Sequence, residues 1–215
     1  AVMHGRPLTM EMYLSSRMIA DPFRLYDCCL ESDGAAAVVI TSAERARDLP
    51  QKPAYIIGAA QGSGPRENLI SANKPGYTGS NFSTVAERLY AQCGHRPAEA
   101  QVAQIYENFT GAVLMSLEDN GFCKKGEAGP FVEGGRIEHP DVAEPGAPHA
   151  GGLPINTSGG NLAEAYIHGF ELVTEAVRQI RGTSTCQVKD VRLSFVAAGP
   201  NTAPVSNLLL GTQPS

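Results

Sequence analysis

The sequence predicts an α/β domain. Three observations carry that expectation. Short apolar runs rich in β-branched residues alternate with stretches of helical period. The composition, 42% hydrophobic and 18% charged, is that of a packed globular chain rather than a disordered one. A glycine pair, Gly159-Gly160, opens a long amphipathic stretch. A chain of 215 residues is long enough for one well-buried domain or two small ones.

Thr9 reads as the N-cap of a short helix to about Met18, with Glu11 and Met12 in its first turn and Asp21-Pro22 as its stop. Ala35–Thr41, Ala-Ala-Ala-Val-Val-Ile-Thr, reads as a buried strand. Thr41-Ser-Ala-Glu44 is a capping-box pattern that starts a helix to about Asp48, and Pro53 to about Ala60 is a second strand. Residues 62–80 are a connection rich in Gly, Pro, Asn and Ser, too long for an ordinary turn and suited to a lid or partner surface. Asn81 or Ser83 caps a helix to Cys93, which Gly94 ends.

Val102–Tyr106 is a third strand that delivers Glu107 and Asn108 to its carboxyl end. A helix follows to about Asn120, with Gly121 as its C′ residue, and residues 123–152 form a second long loop. One helix is expected from Gly160 to Ile180, ended by Gly182, with an apolar face of Leu162, Tyr166, Phe170, Val173, Val177 and Ile180. Val191–Ala198 and Pro204–Leu210 complete five strands. No internal repeat or interdomain linker interrupts them.

Bulk chemistry excludes several functions. With 17 basic against 22 acidic residues the chain lacks the basic excess that nucleic acid requires. No apolar run approaches the roughly 20 residues of a membrane span, and no signal-peptide pattern is present. Five cysteines at irregular spacing suggest neither a disulfide framework nor a zinc site. Reduced thiols in a cytoplasm are the plain expectation, with Cys123 and Cys186 as packing residues. Lys124-Lys125, His139 and His149 are expected in solvent, and Ser32-Asp33-Gly34 as a structural turn.

The residues with chemical promise cluster near the glycine pair. Gly159 and Gly160 permit a tight turn and close backbone approach, and the N–H groups after them point free. Tyr166 lies less than two turns on, facing inward. Periodicity alone makes it a core tyrosine with its hydroxyl satisfied. Tyr106 ends a strand, where ligands meet open α/β sheets. Glu107 reads as a buried carboxylate that orients the loop, while Asn108 and Asn156 are turn formers able to orient a thioester or a water. His168, two residues past Tyr166 and about 200° round a continuous helix, is expected to face elsewhere.

This pattern resembles the thiolase superfamily, whose Asn-x-x-Gly-Gly leads into a helix carrying Gly-His-Pro-x-Gly. The family's basic histidine falls on Tyr166, with Ala165 and Ile167 beside it in place of Gly and Pro. The family's Asn-Glu-Ala-Phe falls on Tyr106-Glu107-Asn108-Phe109, so Tyr106 replaces the asparagine that holds a catalytic water. Its Cys-x-Gly turn matches Phe195-Val-Ala-Ala-Gly199-Pro200, which has no cysteine. Pro7–Pro22, Leu25–Cys29, Ser32–Ala37 and Leu117–Glu127 resemble the lipid-transfer-protein or sterol-carrier-protein-type branch. Within it, the two tyrosines are similar to those of bacterial steroid side-chain aldolases.

The resemblance implies the C-terminal half of a longer protein, with a five-stranded mixed sheet and helices on its faces, and 138–149 as an insertion. It places 1–215 in one domain with its preceding linker region. It implies a lyase that cleaves a β-hydroxyacyl-CoA by retro-aldol reaction, with Tyr106 and Tyr166 catalytic and Glu107, Asn108, Asn156, Gly159 and Gly160 in support. The substrate is a coenzyme A thioester, with no bound cofactor and no metal. The implied partners are a second copy in a homodimer and a small protein with an OB fold and a zinc ribbon. The alternatives are an acetyl-CoA acyltransferase and a non-catalytic lipid-binding or scaffold subunit.

Overall fold

The chain runs α1 (Met10–Ser15), β1 (Met18–Ala20), β2 (Phe23–Arg24), α2 (Ala43–Arg47), β3 (Tyr55–Gly62), α3 (Phe82–Cys93), β4 (Val102–Ile105), α4 (Thr110–Asp119), α5 (Ala128–Val132), α6 (Gly160–Ala163), α7 (Phe170–Arg181), β5 (Leu193–Ala198) and β6 (Val205–Gly211). These come from a computed structural model of the protein, which describes residues 1–64, 81–200 and 204–214. The main sheet has the order β3-β6-β5-β4, and β1 and β2 pair separately. β3, β6 and β5 are antiparallel neighbours, while β4 lies parallel to β5.

Strand side chains alternate between faces, and each face of the main sheet meets helices. On one face Ala103, Ile105, Phe195 and Leu209 pack with Phe82, Val85 and Leu89 of α3 and with Val113 and Leu117 of α4. On the other, Val102, Tyr106, Val196 and Leu210 receive Leu172, Ala176 and Ile180 of α7. Each of the larger side chains contributes about 1.5–3 kcal/mol by leaving water. Truncating Leu172 to Ala would cost about 2–5 kcal/mol, since the cavity adds to the lost transfer energy. Tyr106 thus belongs to the α7 face, and α7 carries the segment that must meet it.

Local signals set most helix ends. The Thr9 hydroxyl accepts the Met12 N–H at 3.1 Å and starts α1. Ser42, not Thr41, caps α2, accepting the Arg45 N–H at 3.3 Å. Gly94 and Gly182 end α3 and α7 with left-handed φ of 71° and 76°.

Four expectations need correction. Residues 35–41 form no strand, so the main sheet has four strands rather than five among the described residues. Val39 and Ile40 are 92% and 74% exposed, and a β-branched run becomes a strand only where a ladder and a packing surface receive it. The helix expected over 160–180 is two, α6 and α7, with Tyr166-Ile167-His168-Gly169 in the link between them. The loop over 123–152 contains α5. His139 is not solvated: its side chain is 9% exposed and its Nε2 lies 3.2 Å from the Gln187 carbonyl oxygen. The connection expected over 62–80 lies, from 65 onward, outside the described residues. No helix among the described residues is long and apolar enough to cross a membrane.

The first 50 residues bury little. α1 has no buried residue, and Met10, Leu14, Val39, Ile40 and Leu49 are all exposed. Apolar surface of this extent in one segment favours association. The isolated chain should therefore self-associate at micromolar concentration. Small-angle scattering across a dilution series checks this, and a monodisperse monomer at every concentration would contradict it.

Candidate active site

The site is assembled by three ties around the turn before α6, two to the end of β4 and one to α7. Asn156 holds a left-handed φ of 46° and bonds Ile105 twice: Oδ1 accepts its N–H at 2.7 Å and Nδ2 donates to its carbonyl at 2.8 Å. Thr157 donates to Glu175 Oε1 at 2.6 Å, tying the same turn to α7. Glu107 reaches across to the start of α6, where its Oε1 accepts the Asn161 N–H at 2.6 Å and the Leu162 N–H at 3.5 Å.

Gly160 makes the third tie possible. Its φ is 56°, and a Cβ there would sit 1.7 Å from Glu107 Oε1. Only glycine satisfies both the backbone and the carboxylate. Gly159 supplies the preceding left-handed turn with φ 108°. At Gly169, with φ 87°, a Cβ would meet Tyr106 Cδ2 at 2.7 Å, so the Tyr106 ring lies directly on backbone.

These ties bring the two tyrosines together. Tyr106 follows β4, fully buried, its N–H bonded to the Ala197 carbonyl at 2.9 Å. Tyr166, half-buried, has its N–H donated to the Ser32 hydroxyl at 3.2 Å. The two phenolic oxygens are 2.8 Å apart, and the rings meet edge to face at 6.2 Å. Ser32 therefore touches the site rather than serving only as a turn.

Asn108 is present but does not bond the tyrosines. Its carbonyl accepts the Cys29 N–H at 3.0 Å, and its buried side-chain Oδ1 has no hydrogen-bond partner among the described residues. His168 is the residue that the sequence argument misplaced. The helix breaks before it, its φ is 57°, and its ring lies 5.5 Å from that of Tyr166 and 6.3 Å from that of Tyr106. The one signal for this in the sequence is the glycine that follows, a hint that the helix does not run through.

The electrostatics separate the two phenols. Burial, and then the hydrogen bond to Tyr166, push Tyr106 far above the ordinary tyrosine range, with Cys29 and Glu171 adding to the effect. Tyr106 is thereby held neutral, sharing one hydrogen bond with Tyr166 in which either hydroxyl can donate. Burial also pushes the Glu107 carboxyl up to about 8, against the N–H groups of Asn161 and Leu162 that favour its anion. Asn161 Oδ1 is buried without a partner, while its Nδ2 lies 3.2 Å from Glu107 Oε2. Turning that amide by half a turn lets a protonated Glu107 donate to it, which fits the raised value. Two surface depressions, about 540 and 640 Å³, lie around Arg192 and Thr212–Gln213, where β5 begins and β6 has ended. Tyr106 leaves the opposite end of the sheet, so neither depression serves it. Among the described residues no cluster of three or more His, Cys, Asp or Glu is placed to hold a metal.

A mixed sheet clad by helices, with a buried strand-end acid tied to a glycine turn, defines an α/β scaffold. The chain belongs to the thiolase C-terminal domain-like family, whose model matches residues 65–207. It is 46% identical over 213 residues to the 17-hydroxy-3-oxo-4-pregnene-20-carboxyl-CoA lyase of Mycobacterium tuberculosis, covering 98% of this chain and 52% of that protein. It is 45% identical over 210 residues to a steroid side-chain-cleaving aldolase of Thermomonospora curvata, covering 97% and 51%. The solved Ltp2-ChsH2(DUF35) aldolase superposes with a TM-score of 0.90 at 45% identity, covering 98% of this chain and 53% of that one. The chain spans about half the length of these relatives.

Glu107 yields a signed test. Its folded value lies above the unfolded one, so the native state retains a proton that the unfolded state gives up as pH rises. Its stabilising contribution is complete below about pH 4.5 and declines towards pH 8. The Glu107→Gln variant should fold and should flatten that decline. Urea unfolding of both proteins from pH 4.5 to 8 measures it, and parallel curves would contradict the assignment.

Proposed function

We propose that this chain is part of a retro-aldol lyase that cleaves a β-hydroxyacyl-CoA with a bulky, steroid-like acyl group to a ketone and a shorter acyl-CoA. One observation carries the reading: the Tyr106–Tyr166 hydroxyl pair at 2.8 Å, formed by residues at the places where the resembled family keeps an asparagine and a histidine. The lyase and aldolase activities for which the two relatives at 46% and 45% identity are named support the same class. Residues 1–215 then form a thiolase-like C-terminal domain with its preceding linker region.

A retro-aldol step needs a base for the β-hydroxyl proton and an acid for the α-carbon. Tyr106, buried and neutral, donates to the Tyr166 oxygen and stabilises negative charge there. Tyr166, the more open of the two, takes the β-hydroxyl proton. The Cα–Cβ bond breaks, the alkoxide electrons form the ketone, and the bond pair passes into the thioester as an enolate. A proton returned by the phenol pair to the α-carbon completes the shorter acyl-CoA. No acyl-enzyme is needed, and the turn over Phe195–Pro200 has no cysteine to activate a thiol.

Glu107 and Asn156 hold the frame, Gly159 and Gly160 shape its turn, and Asn108 contributes a buried side-chain Oδ1 that has no hydrogen-bond partner among the described residues. The chemistry draws on the CoA thioester without a bound cofactor. The working assembly pairs this chain with a second copy and with a small subunit of OB-fold and zinc-ribbon type. The two-component name of the structurally similar aldolase supports a second subunit. All five cysteines are free, which suits a cytoplasmic setting.

Tyr166→Phe in the full-length protein with its partner subunit tests the reading, with 17-hydroxy-3-oxo-4-pregnene-20-carboxyl-CoA, the acyl-CoA in that relative's name, as substrate. Ring packing is kept, so stability should change by no more than about 1 kcal/mol. The cleavage rate should fall about 10²-fold or more with KM nearly unchanged. Near-normal turnover by a folded variant would remove Tyr166 from the chemistry.

A further inference from the structure

A phenol that works as a base needs something to hold the charge it acquires, and the surroundings of the pair are short of it. Tyr166, Cys29 and Glu171 act on Tyr106 through space, and all three oppose its ionisation. Glu171 is buried at the first turn of α7, over the backbone at Ile167 and Gly169. Arg178, also on α7, is engaged elsewhere, 4.0 Å from Glu164 and 3.8 Å from Glu175. Among the described residues, His168 is a group able to carry positive charge whose ring meets both tyrosines.

The placement of His168 suits that task. Its ring lies edge to face with Tyr166 at 5.5 Å and tilted to Tyr106 at 6.3 Å. Its residue is exposed, so an imidazolium keeps water on one side while its other side meets the phenols. The backbone holds it there: His168 and Gly169 are consecutive left-handed residues, with φ of 57° and 87°. A side chain held at positive φ beside a reactive group is the kind of local cost that folds retain where it serves a site.

We infer that His168 is a positioning residue for the reaction, its imidazolium serving as the counter-charge that stabilises the Tyr166 phenolate. The inference rests on the reading of Tyr166 as the base. Of the titratable and charged groups of this region, Tyr166 and Tyr106 lie against His168 itself, Cys29 and Glu171 act on Tyr106, and Glu164 acts on Glu171 and pairs with Arg178. Cys29 and Glu171 disfavour an ionised Tyr106. Ionisation of the phenol without the cation would add a further negative charge among them.

The experiment uses the full-length protein with its partner subunit and the same steroid CoA thioester, recording kcat/KM against pH. His168→Asn removes the charge and tolerates the left-handed backbone. His168→Lys keeps a charge. An opposite charge at this range lowers a phenol by about one to two units, so the rise of activity with pH in His168→Asn should shift upward by that amount. At neutral pH its rate should be about 10- to 100-fold lower, recovering at alkaline pH, and His168→Lys should shift less.

A His168→Asn profile that superimposes on the wild type while Tyr166→Phe is inactive overturns the counter-charge and leaves the base in place. A uniform loss at every pH overturns it too, since a structural defect shows no alkaline recovery. If Tyr166→Phe remains active, both readings fall together.

Discussion

The carboxyl of Glu107 is the constraint on which the rest of the site depends. It leaves the end of β4 and takes the first N–H groups of α6, so strand end and turn sit at one fixed separation. The approach is so close that residue 160 has no room for a Cβ. Those N–H groups have no partner inside a helix start, and a buried carboxyl satisfies them without help from water. With that distance fixed, the link that follows α6 brings Tyr166 to Tyr106.

A buried polar network behind the site holds the same turn from the other side. Glu175 Oε1 accepts from Thr157 and Ser184 at 2.6 Å each and from Gln179 at 3.0 Å. Gln104 of β4 reaches Thr157 at 3.2 Å. A buried carboxylate with several donors is costly to disturb, because removing one partner strands the others. α7 therefore does two jobs: its apolar residues close one face of the sheet, and its polar ones fasten the turn that carries Asn156 to Gly160.

The phenol pair itself is asymmetric for a plain reason. Tyr106 is enclosed on all sides and rests on the Gly169 backbone, so charge there would be desolvated. Tyr166 lies nearer the surface and shares a hydrogen bond with its neighbour. Two chemically identical side chains thus sit at different depths, one enclosed and one half-buried. Beside them His168 is exposed, with its ring against both phenols.

Much of this protein was legible in the chain. Strand runs such as Val102–Ile105 and Leu193–Ala198, the Thr9 cap, and the glycines after α3 and α7 are local signals, and local geometry is what a sequence encodes most directly. The candidate pair was legible too, through motif positions rather than periodicity. Tertiary structure decided the rest. Whether the Ala35–Thr41 run becomes a strand depends on a partner ladder, and none meets it among the described residues. Whether 160–180 is one helix or two depends on Gly169 yielding to the ring of a tyrosine more than sixty positions earlier, a contact that no helical period contains. That break puts His168 against the phenols, since side-chain direction in a link is set by the backbone turn and not by the 3.6-residue repeat.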